Sequence, residues 1–342
     1  MWKYLLLVFA TIAATSDAFA ADKVKVKQGV PATGKIVKMS PDEVVVEQGP
    51  ITKNVPVSEI LTVEFEGEPA ELTTLVRNAY ESGRFADALA TLNKIDLTEI
   101  ERDEIKQEIA FYKAACAAQL ALGGSGSPQD AGRLLVAFES KESNSFHNWE
   151  ICQLLGDLLV ATGRSDAAQK YYEKLASSAL PEYKLKSGLL VGRSLESQKE
   201  YEKAIAKYDE VIAGDGDSKV AASQKLAATC GKASAMAASG KVDEAIKMAQ
   251  EVIDKAEQGD TELHARAYNA LGSCYRSAGK KKEALIAYLH TDLLFSSFPD
   301  QHAEALAALS TLWAESDKVD RAAEAKSMLK DRYPASRWAQ QK

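Results

Sequence analysis

The sequence predicts a mainly α-helical solenoid of about seven stacked hairpins, preceded by a small all-β, barrel-like domain. Two observations support this fold class. From Leu72 onward apolar residues recur with helical spacing, and a short motif ending in alanine returns every 36 to 43 residues, as in stacked helical hairpins. Between residues 23 and 66, apolar and polar residues instead alternate with the period of a strand. We therefore expect a β domain at 21–68 and a solenoid with a C-terminal capping helix at 69–342.

The first 20 residues have the features of a secretory signal peptide. Lys3 gives a positive start, an apolar run extends from Leu5 to Ala14, and Ala18-Phe19-Ala20 offers the small residues that signal peptidase recognises. A membrane anchor is the alternative, but spanning a bilayer takes roughly 20 apolar residues and this run is shorter. We expect cleavage before Ala21 and an exported protein, periplasmic or secreted.

Period-two alternation marks the first and last strands of the β domain. Val24 and Val26 alternate with lysines. Leu61, Val63 and Phe65 alternate with polar residues. Because successive side chains of a strand point to opposite faces, each apolar set is expected on the inner face of the domain.

A hairpin and a further strand are predicted between those segments. Gly34–Met39, the turn Ser40-Pro41-Asp42 and Glu43–Glu47 have the pattern of a hairpin, and Ile51–Val57 follows as another strand. Five short strands in fewer than 50 residues favour a small barrel. In strand count and in its Gly-x-Ile hairpin, the segment resembles Sm-like and SH3-like barrels.

Composition argues against nucleic-acid binding and against the common enzyme classes. The chain has a formal net charge of −7, and between Ala21 and Gly67 six lysines are set against seven acids. Phe65 is the sole aromatic residue of that segment, so the basic stripe and stacking platforms of nucleic-acid binders are missing. The sequence has no HExxH, no G-x-S-x-G, no phosphate loop and no dinucleotide fingerprint. We expect no catalysis, no cofactor and no metal.

The four cysteines are expected to be buried small hydrophobic residues. Cys116, Cys152, Cys230 and Cys274 fall in predicted helices among alanine and leucine, without zinc-like spacing. Cys230 and Cys274 are 44 residues apart, whereas the local repeat is 39. This offset separates them by about 7.5 Å along a helix, in addition to a helix spacing of about 8–10 Å. We therefore expect no disulfide between them.

The repeated motif joins the two helices of each predicted hairpin. In most copies a glycine is expected to end the first helix in left-handed backbone, and in two copies another residue takes its place. These turn positions are Gly83, Gly163, Lys199, Gly240, Gly279 and Asp317. In the second unit Gly123–Pro128 lengthens the turn.

One unit closely resembles the tetratricopeptide repeat, whose pattern is an aromatic residue, Leu-Gly, Tyr, Ala, a second aromatic residue and Pro. The matching residues are Tyr268, Leu271, Gly272, Tyr275, Ala284, Tyr288 and Pro299. Looser copies extend the resemblance over roughly residues 70 to 335. It implies that paired helices approach closely at Gly156, Gly192 and Gly272, and that the first helices line a concave groove.

Projecting the repeat onto its concave face gives a candidate partner-binding groove. The residues expected there are Arg77, Tyr80, Gln153, Asp157, Lys186, Arg193, Arg266, Asn269, Ser273 and Arg276. Five are basic and one is acidic, so an acidic peptide or a chain carboxylate is the expected ligand. Arg193, Arg266 and Arg276 should contribute much of the attraction. The alternative is that these are merely exposed polar side chains.

These features favour a non-enzymatic interaction scaffold or adaptor in a bacterial envelope, with a protein or peptide partner and no membrane span once the signal is removed. The alternative is a structural envelope protein that self-assembles through its β domain. A barrel of about 45 residues lies near the lower size limit for independent folding and has strand edges that could pair. A homo-oligomer is compatible with both readings.

Overall fold

The computed structural model describes residues 21–340, so the predicted signal peptide lies outside the described residues. The first part of the chain forms a five-stranded antiparallel sheet. Its strands are β1 (Asp22–Val26), β2 (Ala32–Met39), β3 (Glu43–Gln48), β4 (Ile51–Pro56) and β5 (Ile60–Glu64). Each predicted strand is therefore present, and the predicted turn joins β2 to β3.

The sheet has the strand order β4-β3-β2-β1-β5 and contains two bulges. One falls where β1 pairs with β5 and leaves out Leu61; the other leaves out Val37 in β2. A bulge leaves its extra residue unpaired and interrupts the alternation. Leu61 is accordingly 54% exposed, whereas Val63 and Phe65 are buried. The prediction that Leu61 shares their inner face is therefore wrong.

The sheet is not closed into a barrel, which corrects that part of the prediction. Strands β4 and β5 are its two outer strands and are joined by a single 3-10 turn, Val57–Glu59. A closed barrel of this size fills its interior with its own side chains. Here the inner valines of the sheet share one continuous core with helical residues such as Leu72 and Ile105. The helices thus fill the space that closing strands would cover.

After β5 the chain forms a π-helical turn, Leu72–Val76, followed within the described residues by fifteen α-helices. These are α1 (Arg77–Glu81), α2 (Phe85–Leu92), α3 (Asp103–Leu122), α4 (Pro128–Lys141), α5 (Asn148–Ala161), α6 (Ser165–Lys174), α7 (Pro181–Ser197), α8 (Tyr201–Ala213), α9 (Lys219–Ala238), α10 (Val242–Lys255), α11 (Thr261–Ser277), α12 (Lys281–Leu294), α13 (Pro299–Ala314), α14 (Val319–Arg332) and α15 (Arg337–Gln340). No helix between residues 21 and 340 is long and apolar enough to cross a membrane.

Helices α1 to α14 pair consecutively into seven hairpins, here called units one to seven, and α15 follows the last. This confirms the predicted solenoid. The change from strand to helix falls between Glu64 and Leu72. Because the sheet and the first hairpins share one core, the division of the chain into domains at residue 68 stays a prediction.

The turns inside the hairpins confirm the interpretation of the repeated motif. Every predicted turn position has positive φ: Gly83 72°, Gly163 75°, Lys199 61°, Gly240 99°, Gly279 71° and Asp317 56°. Left-handed backbone is strained for residues with a Cβ. The two replacements therefore keep the turn geometry of glycine at a cost in conformational energy.

Glycines in the first helices allow tyrosines of the second helices to pack closely. A Cβ added to Gly272 would lie 2.7 Å from the ring of Tyr288, and one added to Gly192 would overlap the ring of Tyr208. Gly156 packs in the same way against the tyrosine of its own unit. These contacts confirm the predicted sites of close approach between paired helices.

The cysteines are also as predicted. All four are free and buried. Burial raises the pKa of the Cys230 and Cys274 thiols to about 12. Because the thiolate is the reactive form of cysteine, both side chains behave as small apolar groups.

Two carboxylates hold the sheet on the helices. Asp22 in β1 accepts a hydrogen bond from the guanidinium of Arg102 at 2.6 Å. Asp42, at the β2–β3 turn, accepts one from the indole Nε1 of Trp149 at 3.0 Å and one from the backbone N–H of Ala179 at 2.9 Å. The sheet is thereby bonded to units two and three and to the connection between units three and four.

The superhelix also makes contacts between units that are not neighbours. Arg193 of unit four forms an ion pair with Asp300 of unit seven. Pro334, after unit seven, packs on Gly124 in the turn of unit two so closely that a Cβ on Gly124 would overlap its ring. These contacts curl the last units back towards the first and enclose part of the concave side.

Candidate functional site

The concave side of units four to seven encloses a cavity of about 630 Å³. Its walls come mainly from the first helices α7, α9, α11 and α13 and from α15, with further residues from unit three and from α8. Helix α9 contributes small side chains, namely Ala227, Gly231, Ser234 and Ala238. Because these residues project so little, space remains between α7 on one side and α11 and α13 on the other.

Tyr208 is fixed beneath this cavity by two glycines. Its ring lies between Gly192 of α7 and Gly231 of α9, and a Cβ on either glycine would overlap the ring. The phenol donates a hydrogen bond to the carboxylate of Glu196. Burial and this carboxylate raise the pKa of Tyr208. The phenol therefore remains a neutral donor that positions Glu196 at the cavity wall.

Two of the arginines expected to attract an acidic ligand already have carboxylate partners. Arg193 is paired with Asp300, and Arg266 lies 2.6 Å from Glu262 on its own helix. Although burial raises the pKa of Asp300, the neighbouring arginines, Arg193 first, hold it well below its usual value. Asp300 is therefore ionised over the physiological range and neutralises much of the charge of Arg193.

The excess of positive charge is smaller in the cavity than among the predicted groove residues, because four cations are set against three carboxylates. The positively charged residues that line it are Arg193, Lys199, Arg266 and Arg337, and the acidic ones are Glu196, Asp300 and Glu304. Carboxylates and cations are interspersed. The surface therefore suits a ligand with both donor and acceptor groups better than a purely acidic one.

Glu196 and Glu304 differ from Asp300 because neutral groups donate to them. Tyr208 donates to Glu196, and the amide of Asn269 donates to Glu304 at 3.2 Å. Burial raises the pKa of Glu196 to about 7 and also raises the pKa of Glu304. The charge of Glu304 adds to the shift of Glu196, whereas Arg337 opposes both shifts. A further cation beside them would therefore stabilise the ionised form of both carboxylates.

The units that form this cavity match a known repeat family. Models of the tetratricopeptide repeat match residues 154–219 and residues 224–291. The chain carries tetratricopeptide repeats. The first match spans most of units three and four, and the second covers units five and six, so these repeats supply three of the four first helices around the cavity.

Solved structures share the fold. A tetratricopeptide repeat protein from Parabacteroides merdae aligns with a TM-score of 0.53 and 16% identity, over 77% of this chain and 92% of the other. A Rap protein complexed with competence and sporulation factor aligns with a TM-score of 0.52 and 17% identity, over 78% and 77%. At these identities the likeness shows the fold alone. No curated protein matches the sequence.

The cavity brings together some of the predicted groove residues but not others. Arg193, Arg266, Asn269 and Ser273 line it. Four predicted groove residues of the later units do not line the cavity, namely Gln153, Asp157, Lys186 and Arg276. Asp157 accepts hydrogen bonds from the phenol of Tyr172 at 2.7 Å and from Gln153 at 3.4 Å. Burial lowers the pKa of Lys186.

Arg77 is structural, which corrects its assignment to the groove, whereas Tyr80 is partly exposed and lies beside unit three. Arg77 is buried, donates to the Val63 carbonyl at 2.6 Å and to Glu68 at 2.9 Å, and so joins the sheet to the first hairpin. Tyr80 donates to Glu150 at 2.7 Å, and its ring packs among aromatic neighbours. Arg77 therefore belongs to the junction between unit one and the sheet and not to an open groove.

The sequence contains a signal for one of the cavity residues that the groove prediction missed. Glu196 follows Arg193 by three positions, which places both side chains on one helix face. Asp300 and Glu304 are four positions apart and share a face in the same way, but the predicted groove contains no residue of unit seven. Arg337 and Trp338 also line the cavity. They follow the last full hairpin, where the repeat pattern has ended.

Proposed function

We propose that this chain is a non-enzymatic interaction scaffold that binds a peptide segment of a protein partner in the cavity of units four to seven. One observation carries the proposal: four successive first helices present donors and acceptors around an open space of about 630 Å³. This volume is within the range of ligand-binding pockets in proteins. The neighbouring Rap structure contains a bound factor, which supports the use of such a fold for binding.

The partner should carry charges of both signs. Arg193 and Arg266 are already paired, so an acidic ligand would have to compete with Asp300 and Glu262. Exchange of one carboxylate for another at an arginine brings little net free energy. A segment that donates hydrogen bonds to Glu196 and Glu304 and accepts them from the arginines would bind the acidic and the basic groups of the cavity together.

Filling the cavity tests this function. We expect Ser234→Trp to abolish capture of the partners from an envelope extract, because the indole would occupy the space beside α9. Ala206→Trp adds the same side chain at an exposed position of α8 and is the matched control. Partners retained by Ser234→Trp, with circular dichroism showing both variants folded, would place binding elsewhere on the molecule.

We also propose that the protein works outside the cytoplasm, in a bacterial envelope. The support is the N-terminal sequence, with its apolar run and the small residues Ala18 and Ala20. N-terminal sequencing of protein from the producing cell tests this. A mature chain that begins at Ala21 is expected, and an intact Met1 on membrane-bound protein would instead indicate an anchor.

Self-association through the sheet is a second candidate function, favoured by its open edges. The outer strand β4 carries Ile51, which is 64% exposed, and the opposite outer strand β5 carries exposed Leu61. Unpaired edges are templates for strand addition. If they pair, mass in solution should correspond to a dimer or larger, and Thr52→Pro should return it to that of a monomer. A monomeric wild type would exclude this candidate.

A further inference from the structure

The C-terminal segment Tyr333–Gln340 forms one side of the cavity. Arg337 and Trp338 are among the lining residues, together with Glu196 and Glu304. The guanidinium of Arg337 stacks over the indole of Trp338, 4.5 Å from the ring centroid. Trp338 also packs against the core of unit seven. The chain thus places a basic residue and an adjacent aromatic residue of its own at the proposed binding site.

The electrostatics of the site suit this cation. Arg337 lowers the pKa of both Glu196 and Glu304, although burial keeps both raised. Its charge therefore reaches both carboxylates but compensates them incompletely. A cation placed closer to the pair would be held more strongly, because attraction between charges increases as they approach.

The fit of the segment is incomplete. The indole Nε1 of Trp338 is buried without a hydrogen-bond partner among the described residues, and a buried donor without an acceptor costs free energy. The start of the segment is held by contacts outside the cavity: Tyr333 bonds His302 at 2.7 Å, and Pro334 packs on Gly124. At the cavity itself, Trp338 packs on unit seven through apolar contacts alone. A segment whose buried indole donor lacks an acceptor can be displaced by a partner that forms the missing hydrogen bonds.

We propose that the cavity recognises a basic residue adjacent to an aromatic one in a peptide partner, and that Arg337 and Trp338 occupy this site until the partner displaces them. The inference rests on the proposed function and deepens it, because it names the chemistry of the partner. It commits to a peptide that presents an ammonium or guanidinium group beside an aromatic ring.

The test measures binding of labelled pentapeptides to the full chain by fluorescence anisotropy. One peptide is Ser-Arg-Trp-Ala-Gln, and its control is Ser-Glu-Ala-Ala-Gln. A tethered segment competes at an effective concentration on the order of millimolar. The double variant Arg337→Ala/Trp338→Ala should therefore bind the first peptide about tenfold or more tightly than wild type. Adding Glu196→Gln and Glu304→Gln should remove this gain.

Two glycines provide a matched pair for the displacement step. Gly124 and Gly279 both have left-handed backbone, with φ of 80° and 71°, but a Cβ meets Pro334 at Gly124 and nothing within 4 Å at Gly279. Alanine at either position carries the same backbone strain. Gly124→Ala should loosen the segment and raise peptide affinity several-fold, whereas Gly279→Ala should leave the affinity unchanged. Equal gains would point to general loosening and count against displacement.

Other outcomes separate this inference from the proposed function. Three results would each overturn the inference. They are equal binding of the two peptides, equal binding by wild type and the double variant, and no binding to the folded double variant at millimolar peptide. A natural partner could lack a basic–aromatic pair, be excluded by Ser234→Trp, and bind wild type and the double variant equally. That result would overturn the inference and leave the cavity function standing. Partners insensitive to Ser234→Trp would overturn both.

Discussion

Asp42 and Trp149 lie 107 positions apart, and the Oδ1 of Asp42 accepts the indole proton of Trp149 at an N–O distance of 3.0 Å. The same carboxylate accepts from the Ser178 hydroxyl and from the backbone N–H of Ala179. A single turn residue of the sheet therefore satisfies three donors at the junction of units three and four. The sheet acts as a cap that is bonded along the solenoid.

Asp42→Ala should lower the free energy of unfolding by about 2–3 kcal/mol, because it leaves three donors without their charged acceptor. Urea denaturation measures this, with exposed Asp217→Ala as the control. Burial alone would raise the pKa of Asp42, but the hydrogen bonds from Ser178, Ala179 and Trp149 outweigh it and lower the pKa. The stabilisation is therefore present above the ordinary aspartate pKa and lost as pH falls through the lowered value. A loss as large for Asp217→Ala would contradict this account.

Alanine at Gly192 should destabilise the protein, whereas alanine at Gly132 should stabilise it. The added Cβ at Gly192 overlaps the Tyr208 ring, which Gly231 confines from the other side, so the cost should be about 1–3 kcal/mol. At Gly132, in helix α4, a Cβ meets nothing within 4 Å, and the better helix former should add about 0.5–1 kcal/mol. Thermal melts measure both. A common sign for the two changes would refute the packing argument.

Asp317→Gly should stabilise unit seven. Asp317 has a φ of 56°, and relieving left-handed strain at a residue with a Cβ should contribute about 1 kcal/mol. The larger entropy of glycine in the unfolded chain offsets part of this gain. Asp317→Ala is the control, because alanine retains the strain. A melting temperature that rises for glycine and not for alanine is the expected result, and an equal rise for both would exclude strain as the cause.

The stability of the cavity region should depend on the protonation of Glu196. Its folded pKa of about 7 exceeds its ordinary value of 4.5, so the folded state binds the proton more tightly than the unfolded state. This stabilisation is complete below pH 4.5 and is lost as pH rises through 7. The groups that set it include Tyr208, Glu304, Arg337 and Arg193. Wild type should therefore lose stability relative to Glu196→Gln across this interval.

Carbon NMR titration of the Glu196 carboxyl group measures the same property directly. Glu304→Gln removes a neighbouring negative charge and should shift the midpoint of Glu196 to lower pH. An unchanged midpoint would mean that the two carboxylates do not interact. Glu324→Gln, at an exposed position of α14, is the control and should leave the midpoint as in wild type.

The local geometry of the solenoid was predictable because it depends on short-range steric rules. Left-handed turns at Gly83 and its equivalents follow from helix termination, and even Lys199 and Asp317 were identified by their place in the motif. Close packing at Gly192 was predictable because the repeat pattern aligns it with Tyr208. These features need only one hairpin and its sequence.

Properties that depend on several units together were not predictable in this way. The pairing of Arg193 with Asp300 depends on how far the superhelix curls, which is a sum of small rotations between hairpins. Arg77 was assigned to the groove because its repeat position is concave, yet it is buried beside the sheet. The bulge at Leu61 interrupts an otherwise regular alternation of apolar and polar residues. The sheet stays open because helical side chains complete its core, and the pattern of the strands does not contain that information.

A chain of hairpins that touch only their neighbours can fray from its end, one hairpin at a time. Here the terminal hairpin is also bonded to unit four by the pair Arg193 and Asp300, and the residues after it rest on unit two at Gly124. Detaching the last hairpin therefore breaks its contacts with units six, four and two at once. The amides of α13 should exchange with deuterium as slowly as those of α7, and an occupant of the cavity should slow both sets together.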